Sequence, residues 1–309
     1  MTAPNNTAVF LIGFGGPTRT ADIRPFILHV LGGRPVPPAR IDEVIHHYDR
    51  LGGKSPYNEL TYRQGKGLSR LLKEQGRAQP VYVGFRHAAP FFEETLAAMA
   101  SDGIRTARGI ILAPHQCESS DERYRIAVEQ ARATVHSAPT IAYVSPWFDH
   151  PLFIEAIAAR VSEAIALWSA TDRIDAHHLF LAHSIPIPMA EASPYVAQLQ
   201  RSVALVVERL GCPQWSIAYQ SRSGRPQDPW LEPSVTDELR RVAAAGTRRV
   251  VAIPIGFITD HVEVLFDLDV EAQELARSLG VTMRRAGTVG DHPAFLRALA
   301  DISQQSVNA

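Results

Sequence analysis

The residues best suited to chemistry lie between positions 249 and 271, where a short apolar run precedes a cluster of ionisable side chains. The apolar run, Val250–Ile255, has the length and β-branched content of a buried strand. The cluster follows a break at Gly256 and comprises Asp260, His261, Glu263, Asp267, Asp269 and Glu271. Ligands of open α/β sheets bind beyond the carboxyl ends of the strands. The sequence therefore predicts a functional site here.

Three acids of this cluster form a regular row. Glu263, Asp267 and Glu271 are spaced by four, which puts them on one helical face. Stacked like charges repel each other, so helix stability alone gives no reason to align them. The pattern indicates a row of acids that binds a cation transiently.

A histidine follows another predicted strand. The run His178–Ala182 ends in His183, and Ser184-Ile185-Pro186 then turns the chain. A side chain at such a strand end is held on a rigid support. The alternative is a buried histidine that is satisfied by a backbone carbonyl. Because two strand ends should converge here, the pattern favours function.

Histidine acts as a metal ligand or a proton acceptor near neutral pH. With a carboxylate it forms a mixed nitrogen and oxygen site, which suits Fe(II) and neighbouring divalent ions. The closely spaced ligands of a zinc site, such as HExxH, are absent from the sequence. The pattern therefore indicates a metal that is bound transiently and is not retained for structure.

Two glycine- and serine-rich segments flank predicted strands. LIGFGGP, at 11–17, lacks the third glycine of a dinucleotide fingerprint, so it predicts a tight turn lining a pocket. The segment at 219–231, YQSRSGRPQDPWL, has the glycine and proline content of a loop. Its Gln220, Ser221, Arg222 and Ser223 either bind carboxylates or belong to an ordinary polar loop, and both interpretations stay open.

Composition sets the broad class. The 309 residues are 46% hydrophobic and 20% charged with net charge −1, which is typical of a soluble globular protein and gives no sign of nucleic-acid binding. Two cysteines cannot hold a four-cysteine cluster. The N-terminus lacks a signal peptide pattern, and no apolar run is long enough to span a membrane. We expect a cytoplasmic monomer and leave peripheral membrane contact open.

Strand-like and helix-like segments alternate along the chain, which predicts βα units that form parallel sheets. The predicted strands are Ala8–Ile12, Val81–Phe85, Gly109–Leu112, Ile141–Val144, His178–Ala182, Trp215–Tyr219, Val250–Ile255 and Val281–Arg284. The predicted helices are Leu60–Glu74, Phe92–Ala100, Glu122–Val135, Leu152–Leu167, Tyr195–Leu210, Val235–Ala245 and Pro293–Gln304. The fold class is α/β, with two similar Rossmann-like domains, each a four-stranded parallel sheet flanked by helices. We place the domains at 1–120 and 121–289, with the helix in 290–309 packed on the first.

Several motifs together resemble the ferrochelatase family. They are LAHSIP at 181–186, YQSRSGRPQDPWLEP at 219–233 and PIGFITDHVEVLFDLDVEA at 254–272. LIGFGGP at 11–17, YDRLGGKSPYNELT at 48–61 and LAPHQCESSDERY at 112–124 continue the likeness in family order, so it covers nearly the whole chain.

The resemblance implies a lyase that inserts Fe(II) into a porphyrin late in haem synthesis, with release of two protons. It implies a porphyrin cleft between two Rossmann-like domains. The signature histidine falls on His183 and the catalytic glutamate on Glu263, while Asp267 and Glu271 match the acidic face proposed to ferry iron. Porphyrin and ferrous iron are the implied partners. The implied porphyrin contacts are Phe14, Tyr48, Ser55, His87 and Tyr124, and we add Arg222.

Three departures qualify the resemblance. Members that use coproporphyrin often carry a tyrosine where this chain has Phe14, which has no hydroxyl to offer a metal. The RHAAP sequence around His87 differs from the form of many bacterial relatives. The cysteines that hold an iron–sulfur cluster in some members are missing, so we expect no cluster and no permanently bound cofactor.

The porphyrin itself is less well determined by the sequence. Protoporphyrin IX carries two propionates and coproporphyrin III carries four, and the ring-edge candidates Arg34, Arg86, Arg222 and Arg225 cannot be placed from sequence. We narrowly favour protoporphyrin IX, with coproporphyrin III as the alternative. The rival classes are a chelatase for another tetrapyrrole and a non-catalytic tetrapyrrole-binding protein.

Overall fold

Eight parallel strands form two sheets in the computed structural model, which describes residues 6–77, 79–223 and 227–305. The first sheet contains, in spatial order, β2 (Val81–Phe85), β1 (Thr7–Gly13), β3 (Thr106–Ile111) and β4 (Thr140–Tyr143). The second contains β6 (Trp215–Gln220), β5 (His177–His183), β7 (Arg249–Ile253) and β8 (Thr282–Arg285). Every pairing among these strands is parallel, which confirms the predicted fold class.

Helices connect the strands. Those before β5 are α1 (Thr20–Leu31), α2 (Pro38–Arg50), α3 (Tyr57–Glu74), α4 (Phe92–Ser101), π1 (Glu118–Glu122), α5 (Arg123–Thr134), α6 (Pro151–Ala164) and α7 (Ala170–Ile174). Those after β5 are α8 (Ile187–Glu191), α9 (Tyr195–Leu210), α10 (Val235–Ala244), α11 (Val262–Val264), π2 (Leu265–Ala272), α12 (Gln273–Ser278) and α13 (Pro293–Ile302). Among the described residues, none of these helices has the length and apolar character needed to cross a bilayer.

The described residues divide into two compact units. One takes in those within Met1–Ala113, Ser119–Pro146 and Leu296–Ala309, and the other those within Pro114–Glu118 and Trp147–Phe295. The boundary we placed after residue 120 assigns β4 to the second domain, whereas β4 pairs with β3 of the first sheet. The physical reason is that α5 is the crossover between these two parallel strands.

The last helix contributes to the first unit from Leu296 onward. A methyl group built on Gly67 of α3 would lie 2.5 Å from Leu296 Cδ1, so the two residues are in close contact. The Arg77 guanidinium also donates a hydrogen bond of 3.4 Å to the Ala300 carbonyl. Residues 306–309 of the predicted packing segment lie outside the described residues.

The central strands are apolar because a parallel sheet is covered on both faces. Residues 8–12 of β1 and 179–182 of β5 are completely buried. In the second unit, the helices α10, π2 and α12 contribute Leu239, Leu268 and Ala276 to one cluster with β5 and β7. This core supports the strand ends that carry the candidate site.

Gly256 brings the loop after β7 against the end of β5. Its N–H donates to the Leu181 carbonyl at 3.0 Å. A Cβ at this position would lie 2.8 Å from both Cα and Cβ of Ala182, which is closer than real Cβ contacts come. Only glycine therefore allows this backbone approach.

We predict that Gly256→Ala lowers the free energy of unfolding by about 1–3 kcal/mol, because the added methyl must displace backbone. Gly287→Ala is the matched control, since its Cβ would meet Arg160 only at 3.6 Å, an ordinary contact. Urea unfolding followed by tryptophan fluorescence measures both variants. Equal unfolding curves for the two variants would show that the close approach is not required.

Candidate active site

His183 is the last residue of β5, and its surroundings fix its ring. The Tyr195 hydroxyl donates to the His183 carbonyl at 2.9 Å. The ring nitrogen Nδ1 is hydrogen-bonded to the Ser184 carbonyl. A carbonyl oxygen can only accept, so Nδ1 carries the proton of the neutral ring and Nε2 presents its lone pair. This tautomer suits a proton acceptor or a metal ligand.

The carboxylate of Glu263 faces this lone pair. Glu263 Oε2 lies 3.8 Å from His183 Nε2, and the two side chains are 47% and 33% exposed. Both atoms are acceptors and stand too far apart for a hydrogen bond. Metal bonds to histidine nitrogen and carboxylate oxygen measure about 2.0–2.2 Å, so a single ion could reach both atoms. The two predicted catalytic residues are therefore neighbours.

A second histidine lies on the other side of Glu263. His261 Nδ1 is 3.9 Å from Glu263 Oε2 and accepts the Glu263 N–H at 3.3 Å, which caps the start of α11. Burial lowers the pKa of His261, although the Glu263 carboxylate acts in the opposite direction. The Phe257 ring lies 5.0 Å from the His261 ring and 6.5 Å from the His183 ring, measured between centroids.

The acid row runs along α11 and π2. Glu263 and Glu271 are exposed, and Asp267 is partly buried. A second row, also spaced by four, is fully buried in the core and consists of Val264, Leu268 and Ala272. An α-helical turn of 3.6 residues is shorter than this spacing, and the wider π turn offsets the resulting drift. The predicted helical face is thus carried by a helix that is largely π.

Asp267 accepts hydrogen bonds from two neighbouring side chains. Its Oδ2 accepts from the Ser221 hydroxyl and, at 3.2 Å, from Gln220 Nε2. Burial, together with the charges of Glu263 and Glu271, raises the pKa of Asp267 to about 7, although the two hydrogen bonds act in the opposite direction. Gln220 and Ser221 therefore bind a carboxylate of the protein itself, and Ser221 does so from a left-handed conformation with φ of 60°.

The remaining two acids of the cluster have a cationic partner. Arg285 Nη1 lies 3.1 Å from Asp260 Oδ1, and Arg285 Nε lies 2.7 Å from Asp269 Oδ1. The Arg285 side chain is only 14% exposed. Arg285 therefore bridges Asp260 and Asp269 and offsets part of their negative charge, which sets these two acids apart from the row and the two histidines.

Three predicted porphyrin contacts lie together after β1 of the first unit. The Phe14 and His87 rings are 4.5 Å apart, and the His87 N–H donates to the Phe14 carbonyl at 2.9 Å. Ser55 lies against Gly16, whose added Cβ would be 2.8 Å from the Ser55 side chain. Burial, Arg86 and His29 together lower the pKa of His87 to about 3.

His29 was not among the predicted site residues. Its Nδ1 lies 3.1 Å from His87 Nδ1. His29 is on α1, a helix outside our predicted set that contains Pro25. The proline obscures the helical pattern, and the contact depends on how α1 packs.

Of the other predicted porphyrin contacts, Tyr124 belongs to the core cluster of the first unit against which Phe14 also packs. Tyr48 of α2 and Tyr124 of α5 are buried. The Arg86 guanidinium lies 5.7 Å from the Tyr124 ring centroid. Arg222 is exposed and donates to the Asp228 carbonyl of its own loop at 2.6 Å. Arg34 donates to carbonyls at the end of α1, and Arg225 lies outside the described residues.

Across 6–77, 79–223 and 227–305, no group of three or more histidine, cysteine, aspartate and glutamate side chains has the arrangement of a metal site. The predicted metal set of His183, Glu263, Asp267 and Glu271 is thus an extended series of groups. Glu263 and His183 lie at one end of that series.

Known proteins were compared with the whole chain. The sequence model of the family described as Ferrochelatase matches residues 6–307. The chain is 39% identical over 304 residues to a ferrochelatase of Rhodopirellula baltica, covering 98% of this chain and 86% of that protein. It is 40% identical over 302 residues to a coproporphyrin III ferrochelatase of Mycolicibacterium paratuberculosis, covering 96% and 86%.

Among solved structures, SirB from Bacillus subtilis with Fe3+ has a similar fold. The TM-score is 0.61 with 10% sequence identity, and the match covers 96% of each chain. At this identity the likeness concerns the fold alone.

The raised pKa of Asp267 predicts a pH-dependent stability. The folded protein retains a proton that the unfolded chain releases between about pH 4 and 7. The stabilisation is complete below pH 4 and is lost as pH rises through 7. The free energy of unfolding of Asp267→Asn, relative to that of the native protein, should therefore be higher at pH 8 than at pH 5 by about 1 kcal/mol or more.

Urea unfolding at both pH values measures this gain. Asp49→Asn, at an exposed position in α2, is the control. A stability difference between Asp267→Asn and the native protein that stays constant with pH would contradict the buried, protonated acid.

Proposed function

Because the chain belongs to the ferrochelatase family of metal chelatases, we propose that it inserts Fe(II) into coproporphyrin III and releases two protons. The observation that carries this proposal is the approach of His183 Nε2 and Glu263 Oε2 to 3.8 Å at the carboxyl end of the second sheet. Iron and the porphyrin are both substrates. The names of the relatives support coproporphyrin III over our narrow preference for protoporphyrin IX.

The reaction needs a group that takes protons. A free porphyrin carries two N–H protons, which leave as one dication enters, so the macrocycle keeps its charge. The lone pair on His183 Nε2 is oriented by the Ser184 carbonyl and can accept the two pyrrole protons one after the other, releasing the first to solvent before it accepts the second. The neighbouring Glu263 carboxylate stabilises the imidazolium that results.

The reaction also needs a route for iron. Fe(II) accepts nitrogen and oxygen ligands, and the acid row supplies carboxylates at intervals along π2. The proposed path runs from exposed Glu271 through Asp267 to Glu263. Partial burial of Asp267 strengthens its interaction with a cation because the local dielectric is lower than in water.

The porphyrin must present its nitrogen lone pairs to the metal, which a flat ring holds in its plane. Binding energy from the ring edges can sustain the required distortion. Phe14 and His87 form the part of the first unit that we propose as a porphyrin contact, with Ser55 nearby. Tyr48, Tyr124 and Arg222 remain proposed contacts on the strength of the family motifs.

We predict that His183→Ala and Glu263→Gln each lower kcat by about 100-fold or more, because general acid–base groups contribute about 10²–10⁴. Porphyrin affinity should change little. Anaerobic Fe(II) insertion is followed by Soret absorbance, and porphyrin binding by fluorescence quenching. His136→Ala and Glu208→Gln, at exposed positions, are the matched controls. Full activity in both folded site variants would refute the mechanism.

We further predict that kcat/KM is about tenfold or more higher for coproporphyrin III than for protoporphyrin IX. Coproporphyrin has two additional carboxylates, and one charge-assisted hydrogen bond contributes about 1.5–3 kcal/mol. Parallel Fe(II) insertion assays at equal detergent concentration give the ratio. A ratio below one would assign protoporphyrin IX as the substrate and would leave the chelatase reaction intact.

A further inference from the structure

We propose that Gln220 is a positioning residue for iron insertion, because it holds the segment that carries His183 and the helix that carries Glu263 in a fixed relation. The inference rests on the proposed function. Gln220 is the last residue of β6 and is only 5% exposed.

The main chain of Gln220 is hydrogen-bonded to the segment that carries His183. Gln220 pairs with His183 in the parallel ladder of β5 and β6. Its carbonyl accepts the N–H of Ser184 at 2.8 Å. Ser184 in turn supplies the carbonyl that binds His183 Nδ1. The ring that presents Nε2 is therefore tied to Gln220 through a single intervening residue.

The side chain of Gln220 is hydrogen-bonded to the helix that carries Glu263. Nε2 donates to the Glu263 carbonyl at 3.3 Å and to Asp267 Oδ2 at 3.2 Å, and Ser221 Oγ, which itself donates to Asp267, also lies within 3.3 Å of Nε2. The Glu263 carbonyl can only accept, so the amide must turn its NH2 group toward the helix. The same residue therefore bonds to the peptide group of Glu263 and to the strand end beside it.

The other amide atom supports a positioning role. Gln220 Oε1 is buried and has no hydrogen-bond partner among the described residues. An unsatisfied buried acceptor destabilises a fold, and an apolar side chain of similar size would avoid it. Residues that violate such a rule of packing are concentrated at functional sites. The two donated bonds account for an amide at this position.

The test is Gln220→Met, which keeps the side-chain length and removes both donors. We expect kcat to fall about tenfold or more, since small displacements of catalytic groups are costly. The KM for the porphyrin and the binding stoichiometry should stay within about twofold of the native values. Gln273→Met is the matched control, because Gln273 also donates to a main-chain carbonyl, that of Met283 at 3.1 Å. The kcat of Gln273→Met should stay within about twofold of the native value.

A double-mutant cycle separates positioning from a general loss of stability. If Gln220 acts through Glu263, then Gln220→Met should cost less than about twofold in a Glu263→Gln background. The inference is overturned if kcat of Gln220→Met is within twofold of the native value. It is also overturned if Gln220→Met lowers kcat as much in the Glu263→Gln background as in the native protein. Gln220→Asn, whose amide is one methylene short of the Glu263 carbonyl, replaces the methionine variant if that variant does not fold.

The two proposals fail differently. A native protein that binds the porphyrin but inserts no iron contradicts the proposed function. An active native protein whose Gln220→Met and Gln220→Asn variants keep its rate contradicts only the inference about Gln220.

Discussion

The loop after β7 can lie against β5 because Gly256 has no side chain. Its N–H bonds to the Leu181 carbonyl at 3.0 Å, and no room is left for a Cβ beside Ala182. This contact directs the chain that follows toward the end of β5, where His183 is located. The buried row of α11 and π2 then packs on the second core, so the acid row must face away from it. The 3.8 Å separation of the two catalytic candidates is therefore a consequence of backbone packing, and it does not depend on attraction between their side chains.

The acidic cluster is divided by the partners of its members. Arg285 pairs with Asp260 and Asp269, and its single positive charge offsets part of the charge of these two carboxylates. The partners of Asp267 are a hydroxyl and an amide, and these carry no charge. The cluster thus contains a structural ion-pair network and a separate row of acids whose member Asp267 has no cationic partner among its described contacts.

Local sequence patterns were sufficient for the strands and for the proximity of His183 to Glu263. Apolar β-branched runs mark parallel strands, and the ends of neighbouring parallel strands share one edge, so His183 and Glu263 could be expected together. The pairing of Arg285 with two aspartates could not be expected, because it joins segments separated in the chain and depends on register. The π-helix differs from an α-helix by a small shift in hydrogen bonding that side-chain spacing does not reveal. β4 belongs to the first sheet because α5 connects it to β3, and a boundary at residue 120 separates this helix and strand from that sheet.

The electrostatics of Asp267 link the arrival of a cation to the release of a proton. With a pKa of about 7, this acid is partly protonated at neutral pH, so the empty row carries less than three negative charges. This reduces the repulsion among groups spaced by four. A divalent ion at the row favours the ionised form of Asp267, and the proton then leaves for solvent. On the proposed mechanism, the helix would lose a proton when iron binds at Asp267 and regain it when iron moves on to Glu263.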